Sequence, residues 1–157
     1  MEHFFATCPR GLEDQLVGEL IAAGATHTQV VAGGVGFAGD WEACYRANLW
    51  SRIATRILWR VAHGPYKREE DIYRLAHDVP WHERFAVRRT LRVYMTAIRC
   101  PLKSIDFITL RIKDAVCDAL REASGERPSV DARHPDLPLA LHLTATHATL
   151  YADTSGE

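Results

Sequence analysis

In the first 65 residues the hydrophobic period switches repeatedly between two and about 3.6, and that succession leaves few folds open. Phe4-Phe5-Ala6-Thr7-Cys8 reads as a short strand, and Pro9-Arg10-Gly11 turns the chain. Leu12, Leu16, Val17, Leu20 and Ile21 then recur at helical spacing, with Gly24 as a C-terminal stop. Residues 28–31 and 35–37 are β-prone runs on either side of Ala32-Gly33-Gly34, a hairpin signal. Asp40 is a good N-cap for a helix predicted from Trp41 to about Thr55, with Tyr45, Leu49 and Ile53 as its buried stripe. Residues 56–62 return as a strand that His63-Gly64-Pro65 ends. The order β-α-β-β-α-β predicts the ferredoxin-like arrangement, in which two helices cover one face of a four-stranded antiparallel sheet.

The second half follows a different order. Residues 69–77 read as a helix broken by Pro80-Trp81, and residues 90–96 alternate as a strand. Ile105, Ile108, Ile112, Val116, Ala119 and Leu120 form one stripe at about 100° per residue, predicting a helix over 104–122 that Gly125 stops. Residues 129–133 are expected to be extended. Leu139, Leu141 and Leu143 alternate with Ala140, His142 and Thr144, and residues 148–152 close a last hairpin. The fold class is therefore mixed α+β, with a boundary near residues 63–68.

Length and balance agree with that reading. A chain of 157 residues, 47% hydrophobic and 25% charged, can bury one ordinary core or two small ones. No apolar run approaches the ~20 residues of a membrane helix, and no basic stretch precedes an apolar one at the start. Cys8, Cys44, Cys100 and Cys117 form no Cys-x-x-Cys pair, and are expected to be reduced in a cytoplasmic protein. The formal net charge of −1 hides a strong asymmetry. Residues 1–50 hold two Arg and six acids, residues 51–113 fourteen Lys/Arg and six acids, and residues 114–157 three Arg and eight acids. The basic middle is a candidate phosphate-facing surface, or else a set of solvated helix faces.

Several motifs bear on chemistry, and most fall away on inspection. Gly34-Val35-Gly36-Phe37-Ala38-Gly39 has the spacing of a pyrophosphate-cradling loop. A dinucleotide fingerprint wants an acid about 20 positions on for the ribose, and residues 54–60 contain none. Val35 and Phe37 alternating with glycines fit a hairpin strand instead. The pairs His77/His82 and His142/His147 lack the helical His-Glu-x-x-His spacing and nearby Cys, so no metal site is expected. There is no G-x-S-x-G elbow and no P-loop, and no two prolines are adjacent, which removes the amine-gripping Asn-Pro-Pro-Tyr motif. On the helix over 104–122, Lys113 lies at the edge of the apolar stripe, while Arg111, Asp114, Asp118 and Arg121 share a polar face of mixed sign.

Residues 4–13, Phe4-Phe5-Ala6-Thr7-Cys8-Pro9-Arg10-Gly11-Leu12-Glu13, resemble the opening of the bacterial large-subunit (23S) ribosomal RNA guanine-N2 methyltransferases that begin with a THUMP region. The resemblance continues through residues 30–37, through Leu49-Trp50-Ser51-Arg52-Ile53-Ala54-Thr55-Arg56-Ile57, and through Arg111-Ile112-Lys113-Asp114 and the four residues after it. It goes on in Arg127-Pro128-Ser129-Val130-Asp131 and Pro135-Asp136, and ends in Leu150-Tyr151-Ala152-Asp153-Thr154-Ser155-Gly156. In this order the blocks span nearly the whole chain.

The resemblance implies a ferredoxin-like unit over 1–65 packed with a THUMP RNA-binding domain over 66–157. In the family this region binds RNA, and a Rossmann-like domain further along methylates a guanine amine with S-adenosylmethionine. The motifs of that domain have no counterpart here. The chain is therefore expected to be an N-terminal fragment without catalytic residues or a cofactor site of its own. Its expected partners are ribosomal RNA and the downstream methyltransferase domain, with no membrane. The THUMP positions that match are Lys113, Arg127, Asp131 and Asp136, the two acids being equally suited to holding the fold. Arg99, Lys103, Lys113, Arg127 and Arg133 are expected to form one phosphate-facing patch. Arg99 and Lys103 bracket a loop that leads into the long helix; the competing arrangement pairs Arg127 and Arg133 with Asp131 and Asp136. The alternative function is a self-standing ferredoxin-like domain that binds a nucleotide or another small molecule.

Overall fold

The structure, a computed structural model, describes residues 1–81, 91–97, 105–124 and 137–154. The chain divides into two compact units, residues 1–60 with 153–157 and residues 61–152.

In the first unit β1 (Glu2–Thr7), α1 (Glu13–Ala22), β2 (Thr26–Val31), β3 (Gly34–Gly39), α2 (Trp41–Trp50) and the first half of β4 (Arg56–Pro65) follow in the expected order. The strands lie β2-β3-β1-β4 with every pair antiparallel. Register places Phe4 opposite both Phe37 and Trp59, so alternation gathers aromatic rings on one face. Phe4 stacks on Phe37 at 5.3 Å, and Trp41 presents an edge to Phe4 at 5.4 Å and to Trp59 at 4.8 Å. Leu16 and Leu20 of α1 complete this core with Ala43, Cys44 and Ala47 of α2.

Local chemistry sets the element ends. Gly24, at φ +106°, adopts the left-handed conformation that lets the Ala25 N–H reach the Leu20 carbonyl (2.9 Å) and its own N–H reach Ile21 (3.0 Å), a Schellman stop for α1. Gly33, at φ +85°, turns the β2–β3 hairpin. The Asp40 carboxylate accepts from the Ala43 N–H at 2.9 Å and caps α2.

Four expectations need correction. Leu16 and Leu20 of α1 are buried, but Ile21 and Leu12, the residue just before the helix, are exposed. Helix α2 ends at Trp50, not near Thr55, because Glu19 captures the next residues: its carboxylate accepts from the Ser51 hydroxyl (2.6 Å) and from the Arg52 and Ile53 N–H groups (3.1 and 3.3 Å). Its buried side is the small one, Ala43, Cys44 and Ala47, while Tyr45 and Leu49 face solvent. Small residues let the helix approach a sheet face already filled by Phe4, Phe37 and Trp59. Strand β4 also runs on through His63-Gly64-Pro65.

The second unit contains the rest of β4, α3 (Glu69–His77), β5 (Leu91–Ala97), α4 (Ile105–Ser124), β6 (Leu137–Leu143) and β7 (His147–Asp153). Its strands lie β4-β7-β6-β5; β6 and β7 are antiparallel, and β5 is parallel to β6. Leu139, Leu141 and Leu143 are buried, as are Ala148, Leu150 and Ala152 opposite them. Ile72 and Ala76 of α3 and Ile108, Ile112, Ala115 and Val116 of α4 are buried too. Trp81 lies in this core, with Nε1 donating to the Ala76 carbonyl at 2.7 Å. The expected stop at Gly125 and the extended run over 129–133 lie outside the described residues.

Candidate nucleic-acid interface

Helix α4 carries the one expected RNA-binding residue that the structure describes. Its core side is Ile108, Ile112, Ala115 and Val116. The face read as polar and mixed in sign is not a simple solvent face. Much of it packs on α3, where charge pairs fit the spacing of both helices. Arg111 Nη2 meets Glu70 Oε1 at 2.8 Å, and its guanidinium lies over the Tyr73 ring at 4.2 Å. The Tyr73 hydroxyl donates to Asp118 Oδ2 at 2.6 Å, and His77 Nε2 meets Glu122 Oε2 at 2.9 Å. The bond to Asp118, chiefly, pushes the Tyr73 phenol up to about 12. Asp118 also accepts from Arg121 at 3.2 Å within α4. The Arg111 guanidinium is thus engaged inside the seam and is a poor candidate for phosphate.

Lys113 is different. It is half-buried beside the apolar stripe, as its spacing predicted, and it makes no ion pair among the described residues. Its ammonium is thus available to an external anion. Lys67, Arg68 and Arg74 belong to the start and body of α3, and they too make no ion pair among the described residues. The Asp71 carboxylate accepts from the Lys67 and Arg68 N–H groups at 2.9 and 3.1 Å, and these bonds hold its pKa below the ordinary value. Arg99, Lys103, Arg127 and Arg133 lie outside the described residues, as do Asp131 and Asp136, so the structure brings none of them to Lys113.

The glycine motif is no phosphate cradle. Residues 34–39 form β3, paired on both sides within an antiparallel sheet, and not a strand-to-helix loop. Gly34 is there for space: a Cβ on it would overlap the Phe5 ring and lie 2.6 Å from the Ala6 carbonyl oxygen. The residues present therefore do not fit a nucleotide or S-adenosylmethionine at this motif. The histidines behave as polar contacts. His63 and His147 stack at 5.4 Å, His63 Nδ1 lies 2.7 Å from the Thr149 hydroxyl, and burial pulls the His142 imidazole pKa down. Among the described residues no three His, Cys, Asp or Glu side chains are grouped to hold a metal ion.

The sequence reading missed one set of surface groups. Tyr45, Leu49 and Trp50 of α2 are 66%, 75% and 64% exposed. The signal that could have shown this is the spacing of Ala43, Cys44 and Ala47, a compact small-residue face on the other side of the helix.

The strand order of the first unit and the mixed sheet of the second define a two-unit α+β protein, a ferredoxin-like fold followed by a THUMP-type domain. The chain belongs to the THUMP family: residues 66–153 match the THUMP domain, and residues 3–58 match the RlmL ferredoxin-like domain. It is 40% identical over 154 residues to the ribosomal RNA large subunit methyltransferase K/L of Syntrophotalea carbinolica, an alignment covering 98% of this chain and 22% of that protein. The enzyme of the same name from Cellvibrio japonicus is 38% identical, over 100% of this chain and 21% of the relative. The chain thus spans about a fifth of the length of the curated relatives it matches. Among solved structures, a Listeria monocytogenes protein described as a predicted N6-adenine-specific DNA methylase superposes with a TM-score of 0.84 at 24% identity, covering 97% of this chain and 40% of that one. At that identity the likeness concerns the fold.

Proposed function

We propose that this chain is the RNA-binding, substrate-positioning part of an S-adenosylmethionine-dependent enzyme that methylates a guanine N2 of large-subunit ribosomal RNA. The observation that carries the reading is the 40% identity to a ribosomal RNA methyltransferase along 98% of the chain. The available ammonium of Lys113 in a chain whose middle is strongly basic supports it. In this reading residues 1–65 are the ferredoxin-like unit and 66–157 the THUMP domain. Arg99, Lys103, Lys113, Arg127 and Arg133 contact phosphates, and the cofactor and the reacting groups belong to a further domain of the same protein. The setting is the cytoplasm; no helix among the described residues is long and apolar enough to cross a membrane.

The nucleotide-binding alternative loses its main support, since the glycine motif is a packed strand. The test is a Lys103→Ala/Lys113→Ala double variant, titrated with a ribosomal RNA hairpin across a salt series. Each cation that no longer meets a phosphate lowers the slope of log K against log salt by somewhat less than one unit. Unchanged affinity and slope, with the fold intact by circular dichroism, place the phosphate-binding groups elsewhere. Failure of the unaltered chain to bind RNA at all refutes the reading.

A further inference from the structure

The RNA reading assigns no role to the first unit, yet that unit has an unusual surface. Around α2, at about 100° per residue, Tyr45, Leu49, Arg46 and Trp50 follow one another across roughly 140° of the helix circumference. Both aromatic side chains of this band are about two-thirds exposed, and Leu49 more so. Scattered exposed apolar residues need no explanation, but three large ones on a ten-residue helix do.

The band is held firmly. The Tyr45 ring lies 6.2 Å from Trp41, which is packed on Phe4 and Trp59, so it is braced from the core. Trp50 is the last residue of α2, and the next three residues are tied down by the Glu19 carboxylate. Cations interleave with the rings. Arg46 stands between Leu49 and Trp50 and, among the described residues, pairs only with exposed Glu42 one turn back. Arg52, exposed just past Trp50, makes no ion pair among the described residues. The neighbouring acid Glu19 spends its carboxylate on three internal donors, and these bonds outweigh desolvation to keep its pKa low.

We propose that the Tyr45–Trp50 face of α2, with Arg46 and Arg52, is a stacking surface for unpaired RNA nucleotides flanking the structured element that the THUMP half grips. This rests on the RNA-binding reading above and extends it to the first unit. Exposed aromatic rings offer every base a π-face, and arginines among them serve both phosphate and base planes.

The test compares two RNAs, a blunt ribosomal hairpin and the same hairpin with a single-stranded extension, on the purified chain. The extension tightens binding, and Trp50→Ala or Tyr45→Ala each removes at least about fivefold of that gain. Trp50→Phe retains most of it, Arg52→Gln loses part, and binding of the blunt hairpin is unchanged in all four. Trp50→Ala guards against misfolding, because that side chain is not part of the core. Equal binding of both RNAs by the unaltered chain, or an undiminished extension effect in Trp50→Ala, overturns the proposal while the RNA reading stands. Binding of neither RNA refutes the RNA reading itself. Concentration-dependent self-association in light scattering that Leu49→Ala and Trp50→Ala abolish assigns the face to a second copy and also overturns it.

Discussion

The Tyr73 hydroxyl donates to Asp118 Oδ2 at 2.6 Å and so joins α3 to α4. Removing it as Tyr73→Phe leaves Asp118 with Arg121 at 3.2 Å, so no bare buried charge results. The expected cost is about 1 kcal/mol, below the usual range for a bond to a charged group because the site is part-exposed. The same bond sets an alkaline signature. The phenol is raised to about 12 from an ordinary 10, so its stabilising effect is complete below pH 10 and fades as pH rises toward 12. Urea titrations at pH 9 and above pH 11 check this: the gap between the native chain and Tyr73→Phe narrows at the higher pH.

Glu13 holds two turns together, accepting from the Gly33 and Gly11 N–H groups at 2.8 Å each. The bond from Gly33, first, and those from its own N–H and Gly11 keep its carboxyl below the usual 4.5. A lowered acid contributes stability above its unfolded pKa and loses it as pH falls through the folded value. In Glu13→Ala the amides of Gly11 and Gly33 are expected to exchange hydrogen faster at neutral pH, as NMR can measure. The native chain itself approaches that behaviour only under acid conditions, below pH 4.5.

Gly34→Ala tests whether the glycine motif is about packing. The added Cβ falls on the Phe5 ring and the Ala6 carbonyl, and backbone cannot yield cheaply there. Overpacking of this kind costs about 1–3 kcal/mol. A drop in the denaturation midpoint of that size is expected, with no change in RNA affinity.

Calorimetric titration of the chain with S-adenosylmethionine is expected to give no binding heat. Saturation at micromolar concentrations would overturn the proposal that the cofactor belongs to a further domain of the same protein.

The ferredoxin-like order was readable because each element carries its own local signal. Gly24, Gly33 and Asp40 mark their stops, turn and cap in the sequence itself, and the structure uses each as marked. What escaped were features decided by distant partners. Helix α2 is cut short by Glu19, 32 positions before Ser51, with no glycine or proline nearby to announce it. Its buried side is chosen by the rings already on the sheet, so size was a poor guide and Tyr45 and Leu49 were misplaced. On the polar face of α4 the charge pairs within the helix, Arg111 with Asp114 and Arg121 with Asp118, follow from its spacing, but the partners across the seam, Glu70 for Arg111 and Tyr73 for Asp118, carry no local signal. Of the candidate RNA patch, Lys113 alone falls among the described residues, where helical period correctly placed it at the stripe's edge.

The first unit is completed by chain from far downstream. Thr154 donates to the Ile57 carbonyl through both its N–H (2.9 Å) and its hydroxyl (2.7 Å), and receives the Asn48 amide at 3.1 Å. Asp153 pairs with Arg56 at 2.5 Å. A ribosome making this protein therefore delivers residues 1–60 first, but supplies their closing contacts only after the intervening ninety or so residues, roughly 5–20 s later. During that interval the nascent sheet is unfinished along β4. The second unit must emerge within it, and a stall or a cut between residues 60 and 153 would strand the first unit in its incomplete form.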